Sequence, residues 1–135
     1  MFSSFKIEND YIYVQLKGIL STEDQFNGFI NGWMRCYNLR RPFCLVFDTR
    51  EAKFTIENLK HSICLSKFIS DLKYKKLQDP KLYGTLLYSI IISKSLATLI
   101  LLRVLFAMQS PVAPVVIVDE NINVLTVYLP RDIEP

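Results

Sequence analysis

The stretch that decides the fold is VFDTREAKFTIENL, residues 46–59. It completes an apolar run, RPFCLVFD at 41–48, which predicts a central strand with both faces covered. Residues 49–54 predict a loop, and TIENLKHSICLSKFISDLKYKK at 55–76 predicts a long helix. In α/β proteins the junction between such a strand and helix often carries the functional groups, which makes this stretch the first candidate for a functional site.

Two strand-like runs and an amphipathic helix precede this stretch. SSFKIEND at 3–10 and YIYVQLKG at 11–18 predict a hairpin that turns at Asn9 and Asp10. STEDQFNGFINGWMRCYNLR at 21–40 predicts a helix with one apolar face. That face is formed, at helical spacing, by Phe26, Phe29, Ile30, Trp33, Met34 and Tyr37.

Alternation of strand and helix continues downstream. GTLLYSIIIS at 84–93 predicts a buried strand, and 96–109 predicts a very apolar helix that Arg103 interrupts. PVAPVVIVD at 111–119 predicts a further strand. The tail PRDIEP, residues 130–135, is expected to fray.

The last segment, ENINVLTVYL at 120–129, has two interpretations. We favour a short final helix that Asp119 caps. The alternative is a β-hairpin, because Val124, Thr126 and Tyr128 are residue types that favour strands.

The element order predicts an α/β fold. An opening β-hairpin is followed by alternating helices and strands, which indicates a mixed, mostly parallel sheet with helices packed on it. The chain has 135 residues, of which 50% are hydrophobic, and this length and composition suit one domain over 1–135 with a substantial core.

This order resembles the STAS domain, a family named for sulfate transporters and anti-sigma-factor antagonists. The resemblance runs from about Phe5 to Leu129 and rests on element order and on two junctions. One is LVFDTREAKFTIENL. The other, LYSIIISKSLATLILLRVLFAMQSPVAPVVIVDENINVL, is similar to the strand, apolar helix, short strand and terminal helix of SpoIIAA-like members. The resemblance implies a STAS-like scaffold that acts by docking on a protein partner.

Regulatory members of that family carry an Asp-Ser-Ser-Gly-type sequence after the buried strand, where a kinase phosphorylates a serine at the helix start. Here the corresponding segment is FTIENL, which lacks the serine pair and the glycine. Thr55 is the candidate phosphorylation site, and Glu57 is the alternative as a permanent charge. Ordinary helix capping and the helix dipole account for both residues equally well.

The predicted docking surface combines loop 49–54, the helix start and the junction at 93–95. Its candidate residues are Asp48, Thr49, Arg50, Thr55, Glu57 and Lys94. Two alternatives to such a docking module remain. One is a structural subunit of a larger assembly, such as a virion component. The other is a carrier of lipid or another small ligand, because the strand-helix-strand core is also similar to CRAL-TRIO-type domains.

Catalysis is not expected. The only histidine, His61, lies within the second predicted helix, where Ser62 and Cys64 point in other directions. Asp48 and Glu51 are interpreted as local salt-link acids. The four glycines form no phosphate-binding loop, although Gly28 and Gly32, one helical turn apart, permit close packing on a neighbour. No metal site or cofactor is predicted.

The net charge and the cysteines of the sequence restrict the kinds of partner and the cellular compartment that we expect. The net charge of +3 does not favour nucleic acid as a partner. Cys36, Cys44 and Cys64 are expected to be free, buried thiols in a reducing, cytoplasmic location, and no signal peptide is expected. Residues 95–109 are too short to span a bilayer and allow only weak membrane association. Basic residues at the ends of the first two predicted helices are interpreted as partners of the helix dipoles. The alternative is a patch for acidic partners, lipid headgroups or nucleic acid. These residues are Arg35, Arg40, Arg41, Lys73, Lys75, Lys76 and Lys81.

Overall fold

The structure, a computed structural model, describes residues 1–131. The strands are β1 Ser3–Ile7, β2 Tyr11–Ile19, β3 Phe43–Lys53, β4 Leu86–Ile92, β5 Val115–Val118 and β6 Val124–Tyr128. The helices are α1 Glu23–Cys36, α2 Leu59–Gln78, α3 Pro80–Tyr83 and α4 Leu96–Met108. Short 3-10 turns follow α1, at Tyr37–Leu39, and precede α2, at Ile56–Asn58. The predicted fraying of 130–135 concerns residues of which 132–135 lie outside the described part.

The opening hairpin and the helix starts form for the predicted local reasons. β1 and β2 pair antiparallel from Ser3 with Leu16 to Ile7 with Ile12, around the predicted turn. At the start of α1, Thr22 Oγ1 accepts from the Gln25 amide at 3.2 Å, and Gln25 Oε1 accepts from the Thr22 amide at 3.0 Å. This capping box satisfies two amides that the helix itself leaves unpaired.

All six strands form one sheet in the order β1-β2-β3-β4-β5-β6. β2 to β5 are parallel neighbours, and the two outer pairings are antiparallel. The predicted α/β class with a mixed, mostly parallel sheet is therefore confirmed. Successive right-handed crossovers that always step in one direction place their helices on the same face of the sheet.

Side-chain contacts agree with this one-sided arrangement. The ring of Phe47 on β3 lies 5.9 Å from that of Phe29 and 5.5 Å from that of Trp33, both on α1. Trp33 in turn meets Phe68 of α2 at 5.2 Å, and Phe106 of α4 meets Tyr128 of β6 at 4.7 Å. The core therefore lies between one face of the sheet and the layer formed by α1, α2 and α4. α1, α2 and α4 do not cover the other face of the central strand, although Cys44 and Asp48 on that face are buried as well and Val46 is half-buried.

The favoured final helix was also wrong. Residues Val124–Tyr128 form β6, which pairs antiparallel with β5. Asp119, expected to cap a helix, instead closes the turn: its Oδ1 accepts from the amides of Asn121 at 2.8 Å and Asn123 at 2.9 Å. The β-favouring residues prevail because β5 offers an unpaired edge. The chain thus departs here from the terminal helix that the STAS resemblance implied.

The predicted loop at 49–54 was wrong as well. β3 continues to Lys53, because β2 is long enough to pair with it from Lys17 opposite Glu51 to Ile19 opposite Lys53. The register shifts by one residue between Gln15 and Lys17 of β2, as in a β-bulge. Most of the predicted loop is therefore strand.

Candidate functional site

The face of the sheet opposite the helices carries a row of side chains that the pairing places side by side. Tyr13 pairs with Val46, Val46 with Ile90, Ile90 with Val116, and Val116 with Val127. We call this the uncovered face. α1, α2 and α4 all lie on the other face, so the row is half-buried at its centre and open at its β6 end, where Val127 is 49% exposed.

A polar network stands beside this row. Asp48 is only 4% exposed, because Tyr13 and Arg50 cover it. The Tyr13 hydroxyl donates to Asp48 Oδ2, and Arg50 donates through Nε to Oδ1 at 2.9 Å and through Nη2 to Oδ2 at 2.7 Å. The Arg50 amide also donates to Asp48 Oδ1 at 3.1 Å. This two-pronged pairing fixes the guanidinium in place.

The network keeps Asp48 ionised. Hydrogen bonds from Arg50, and to a lesser degree from Tyr13, lower the pKa of Asp48 to about 2 against the opposing effect of burial. The same pair raises the pKa of Arg50, and burial together with Asp48 raises that of Tyr13. A carboxylate that is saturated with donors is suited to positioning Arg50 and not to transferring protons.

The structure divides the predicted docking residues among three places. Asp48 and Arg50 come together on the uncovered face. Thr49 points to the opposite face, where it is buried and its Oγ1 donates to the carbonyl of Ile92 at 2.7 Å. Thr55, Glu57 and Lys94 are exposed on the connections that lead into α2 and α4. The six residues therefore do not form one surface.

Asn58 organises the start of α2, and the sequence interpretation missed it. Its Oδ1 accepts from the Thr55 amide at 2.9 Å, and its Nδ2 donates to the carbonyl of Leu20 at 2.9 Å. Asn58 is buried and ties the helix start to the end of β2. The spacing Thr-x-x-Asn, a variant of the capping box, was the signal available in the sequence.

A cavity of about 140 Å³ lies between the sheet and the helix layer. Aromatic and aliphatic side chains of α1, α2, α4, β3, β4 and β5 form most of its wall. Its polar lining residues are Thr49, Asn58, His61, Ser62, Ser89 and Thr98. The feature of the sequence that pointed to this site was Ser89, a polar residue within the apolar strand LLYSIII. No role was assigned to this serine from the sequence.

His61 is half-buried at this cavity. Its Nδ1 lies 3.1 Å from Asn58 Nδ2, and its ring stacks at 5.2 Å on Phe26. Burial, followed by the charge of Lys60, lowers the pKa of His61, so the imidazole is neutral at pH 7. The neighbouring Ser62 hydroxyl donates to the carbonyl of Leu101 at 3.4 Å, so the two side chains do not form a nucleophile–base pair.

The structure corrects two predictions, one about the exposure of Lys73 and one about the exposure of Cys64. Lys73, grouped with the basic cluster at the end of α2, is buried: its Nζ donates to Ser110 Oγ and to the carbonyl of Arg131 at 3.4 Å. Ser110 Oγ also accepts from the Arg131 amide at 3.0 Å, so Lys73 helps to hold the end of the described chain. Cys36 and Cys44 are buried and free, as predicted, but Cys64 is exposed.

The described residues contain neither a recognisable metal site nor a membrane-spanning helix. Within residues 1–131 no group of three or more histidine, cysteine, aspartate or glutamate side chains has the arrangement of a metal site. None of the helices in that range has the length and hydropathy that crossing a membrane requires.

Comparison with known proteins identifies no relative of this chain. No family model, no curated protein and no solved structure matches this chain. The STAS resemblance therefore stays a prediction from element order.

Proposed function

We propose that this chain is a non-catalytic protein-interaction module that docks through the uncovered face of its sheet. The observation that carries the proposal is the in-register row Tyr13, Val46, Ile90, Val116 and Val127 on a sheet whose helices all lie on the other side. Parallel strands are usually covered on both faces, so such a row is the surface expected to meet a partner.

The chemistry of the face defines the partner. β-branched side chains make it flat and apolar, and Asp48 and Arg50 largely neutralise each other beside it. Arg50 remains 41% exposed, and Gln15 donates to Glu51 at 3.0 Å, so polar groups border the apolar row. This layout, with an apolar centre and a polar rim, fits a flat apolar protein surface. A second copy of this chain presents such a surface, and two sheet faces pack well at a separation of about 10 Å.

This proposal moves the docking surface away from the predicted loop and helix start. It keeps the class of function that the STAS resemblance implied, a module that works by docking. Of the predicted docking residues, Arg50 and its support Asp48 belong to the proposed surface. Phosphorylation of Thr55, which is exposed at the start of α2, remains a separate prediction.

The lipid-carrier alternative is not favoured by the cavity. A site that encloses a drug-sized or larger ligand has a volume of roughly 300 Å³ or more. The interior cavity has about 140 Å³. A lipid chain does not fit that space in this conformation.

The test compares two lysine substitutions at apolar residues of matched exposure. Val127 on the uncovered face is 49% exposed, and Ile63 on α2 is 47% exposed. We expect Val127→Lys to abolish association and Ile63→Lys to preserve it. Association is measured by light scattering of the purified protein over a range of concentrations, and by quantitative pull-down from native extract.

The outcomes are distinct. A dimer that Val127→Lys dissociates identifies a second copy as the partner, and a captured protein lost only with Val127→Lys identifies a different one. A chain that is monomeric at every concentration, and that captures nothing sensitive to Val127→Lys, contradicts the proposal. Loss with both variants also contradicts it, because the helix layer would then be equally involved.

A further inference from the structure

We infer that the interior cavity is a binding site for a small neutral molecule, of benzene to phenol size, that carries one hydrogen-bonding group. The cavity lies on the helix side of the sheet and is independent of the uncovered face. Its volume of about 140 Å³ is close to that of an apolar protein cavity of roughly 150 Å³ that binds benzene.

The wall selects for an apolar, uncharged ligand. Phe29, Trp33 and Phe47 contribute aromatic surface, and Leu65, Leu102 and Leu105 contribute aliphatic surface. None of the lining residues in the described chain is an aspartate, glutamate, lysine or arginine. A charged ligand would lose its hydration without gaining a counter-ion there, so ions are excluded.

Ser89 supplies the polar contact. It lies in the middle of β4, is 3% exposed, and lines the cavity. Within residues 1–131, every side-chain nitrogen or oxygen that is fully sealed from solvent has a hydrogen-bond partner. The Ser89 hydroxyl takes part in none of the hydrogen bonds of this region, so it must be reached from the cavity.

The Thr49 hydroxyl and the Asn58 amide at the cavity are already engaged. The Thr49 hydroxyl donates to the carbonyl of Ile92, and Asn58 donates to the carbonyl of Leu20. A ligand that displaces water from the Ser89 hydroxyl without replacing its hydrogen bond loses affinity, whereas a ligand hydroxyl or carbonyl restores that bond. The site therefore distinguishes a phenol-like molecule from a hydrocarbon of the same shape.

The test uses phenol and toluene, which have nearly the same shape, together with benzoate as a charged probe. Binding is followed by NMR shifts of the methyl groups of Ile91 and Ala113, which line the cavity. We expect phenol to bind more tightly than toluene, and benzoate not to bind. Ser89→Ala should weaken phenol by roughly 3- to 10-fold and leave toluene unchanged.

The controls keep the outcomes separate. Ser89→Ala is a small change, and circular dichroism verifies that the variant is folded. Ala113→Leu should reduce the binding of both neutral probes, because it fills the space; in this variant the methyl groups of Ile91 alone report binding. If neither phenol nor toluene shifts the two methyl signals at millimolar concentration, the cavity holds water or nothing and the inference is overturned. If phenol binds wild type and Ser89→Ala equally, the assigned role of Ser89 is overturned.

Discussion

Both faces of the sheet carry apolar residues, but only one face is packed beneath the helices. Leu45 and Val46 are neighbours in β3, and both belong to one unbroken apolar run. Leu45 is fully buried beneath the helix layer, whereas Val46 lies half-buried on the uncovered face. Apolar character alone therefore does not tell which face of a strand is core. The direction in which the crossovers step decides it.

The largest expected effect comes from adjacent isoleucines of β4. Ile91 faces the helices and is buried, whereas Ile90 lies in the row on the uncovered face. We expect Ile91→Ala to lower the free energy of unfolding by roughly 2–5 kcal/mol, and Ile90→Ala by about half as much. The reason is that Ile91→Ala enlarges the cavity beneath the helices, whereas Ile90→Ala leaves a notch open to water. Urea unfolding of dilute protein measures both values.

The same pair also tests the proposed partner. If a second copy covers the uncovered face, the cost of Ile90→Ala should rise with protein concentration, because unfolding then also breaks the dimer. Equal costs for the two variants in dilute protein would show that the two faces do not differ, and the comparison would fail.

A smaller effect is expected where α1 meets the edge of the sheet. A Cβ on Gly32 would overlap the ring of Phe5 on β1, whereas a Cβ on Gly28, one turn earlier, meets nothing within 4 Å. We expect Gly32→Ala to destabilise by about 1–2 kcal/mol through overpacking, and Gly28→Ala to stabilise by about 0.5–1 kcal/mol through helix propensity. Thermal unfolding of the two variants should therefore shift in opposite directions. Matching shifts would contradict the close approach of α1 to β1.

An effect of similar size is expected from the pH dependence of the polar network on the uncovered face. The pKa of Asp48 is lowered from 3.8 to about 2 in the fold. Its contribution to stability is therefore present above about pH 4 and is lost as the pH falls towards 2. Because Arg50 is 41% exposed and partly screened, we expect a loss of about 1–2 kcal/mol over that window.

Two variants check the assignment of this pH dependence. Asp48→Asn removes the titrating group. The part that Asp48 contributes to the change of the unfolding free energy between pH 4 and pH 2 should therefore disappear. Arg50→Gln removes the main cause of the lowered pKa and should reduce the same change. An unchanged pH dependence in both variants would show that Asp48 is not held by the network. Urea titrations at each pH provide the measurement.

Much of the fold was predictable because it depends on local patterns. The hairpin at Asn9 and Asp10, the face of α1 around Trp33, and the alternation of strands with helices all follow from turn chemistry and periodicity. The errors fall where a segment's state depends on a distant partner. Val124–Tyr128 is a strand because β5 has a free edge, and β3 reaches Lys53 because β2 is long enough to pair with it.

The candidate sites were less predictable than the fold. Asp48 and Arg50 were both among the six predicted docking residues, Asp48 at the end of a predicted strand and Arg50 in a predicted loop that proved to be strand. Tyr13, which completes their network, lies 35 residues away in the chain, and no local pattern links it to Asp48. Ser89 was missed because a lone polar residue in a strand gives no indication of what it faces, and Asn58 was missed because the spacing Thr-x-x-Asn was not recognised as a variant of the capping box.

By itself, the sequence determined the types and order of the elements up to β5 and the parallel pairing that this order requires, because these follow mainly from interactions between near neighbours along the chain. Only the tertiary structure decided that α1, α2 and α4 share one face, that these helices leave the opposite face uncovered, and that a cavity remains beneath them. These features depend on the geometry of consecutive crossovers and on side-chain volumes summed from six elements, and no local stretch of sequence contains that sum.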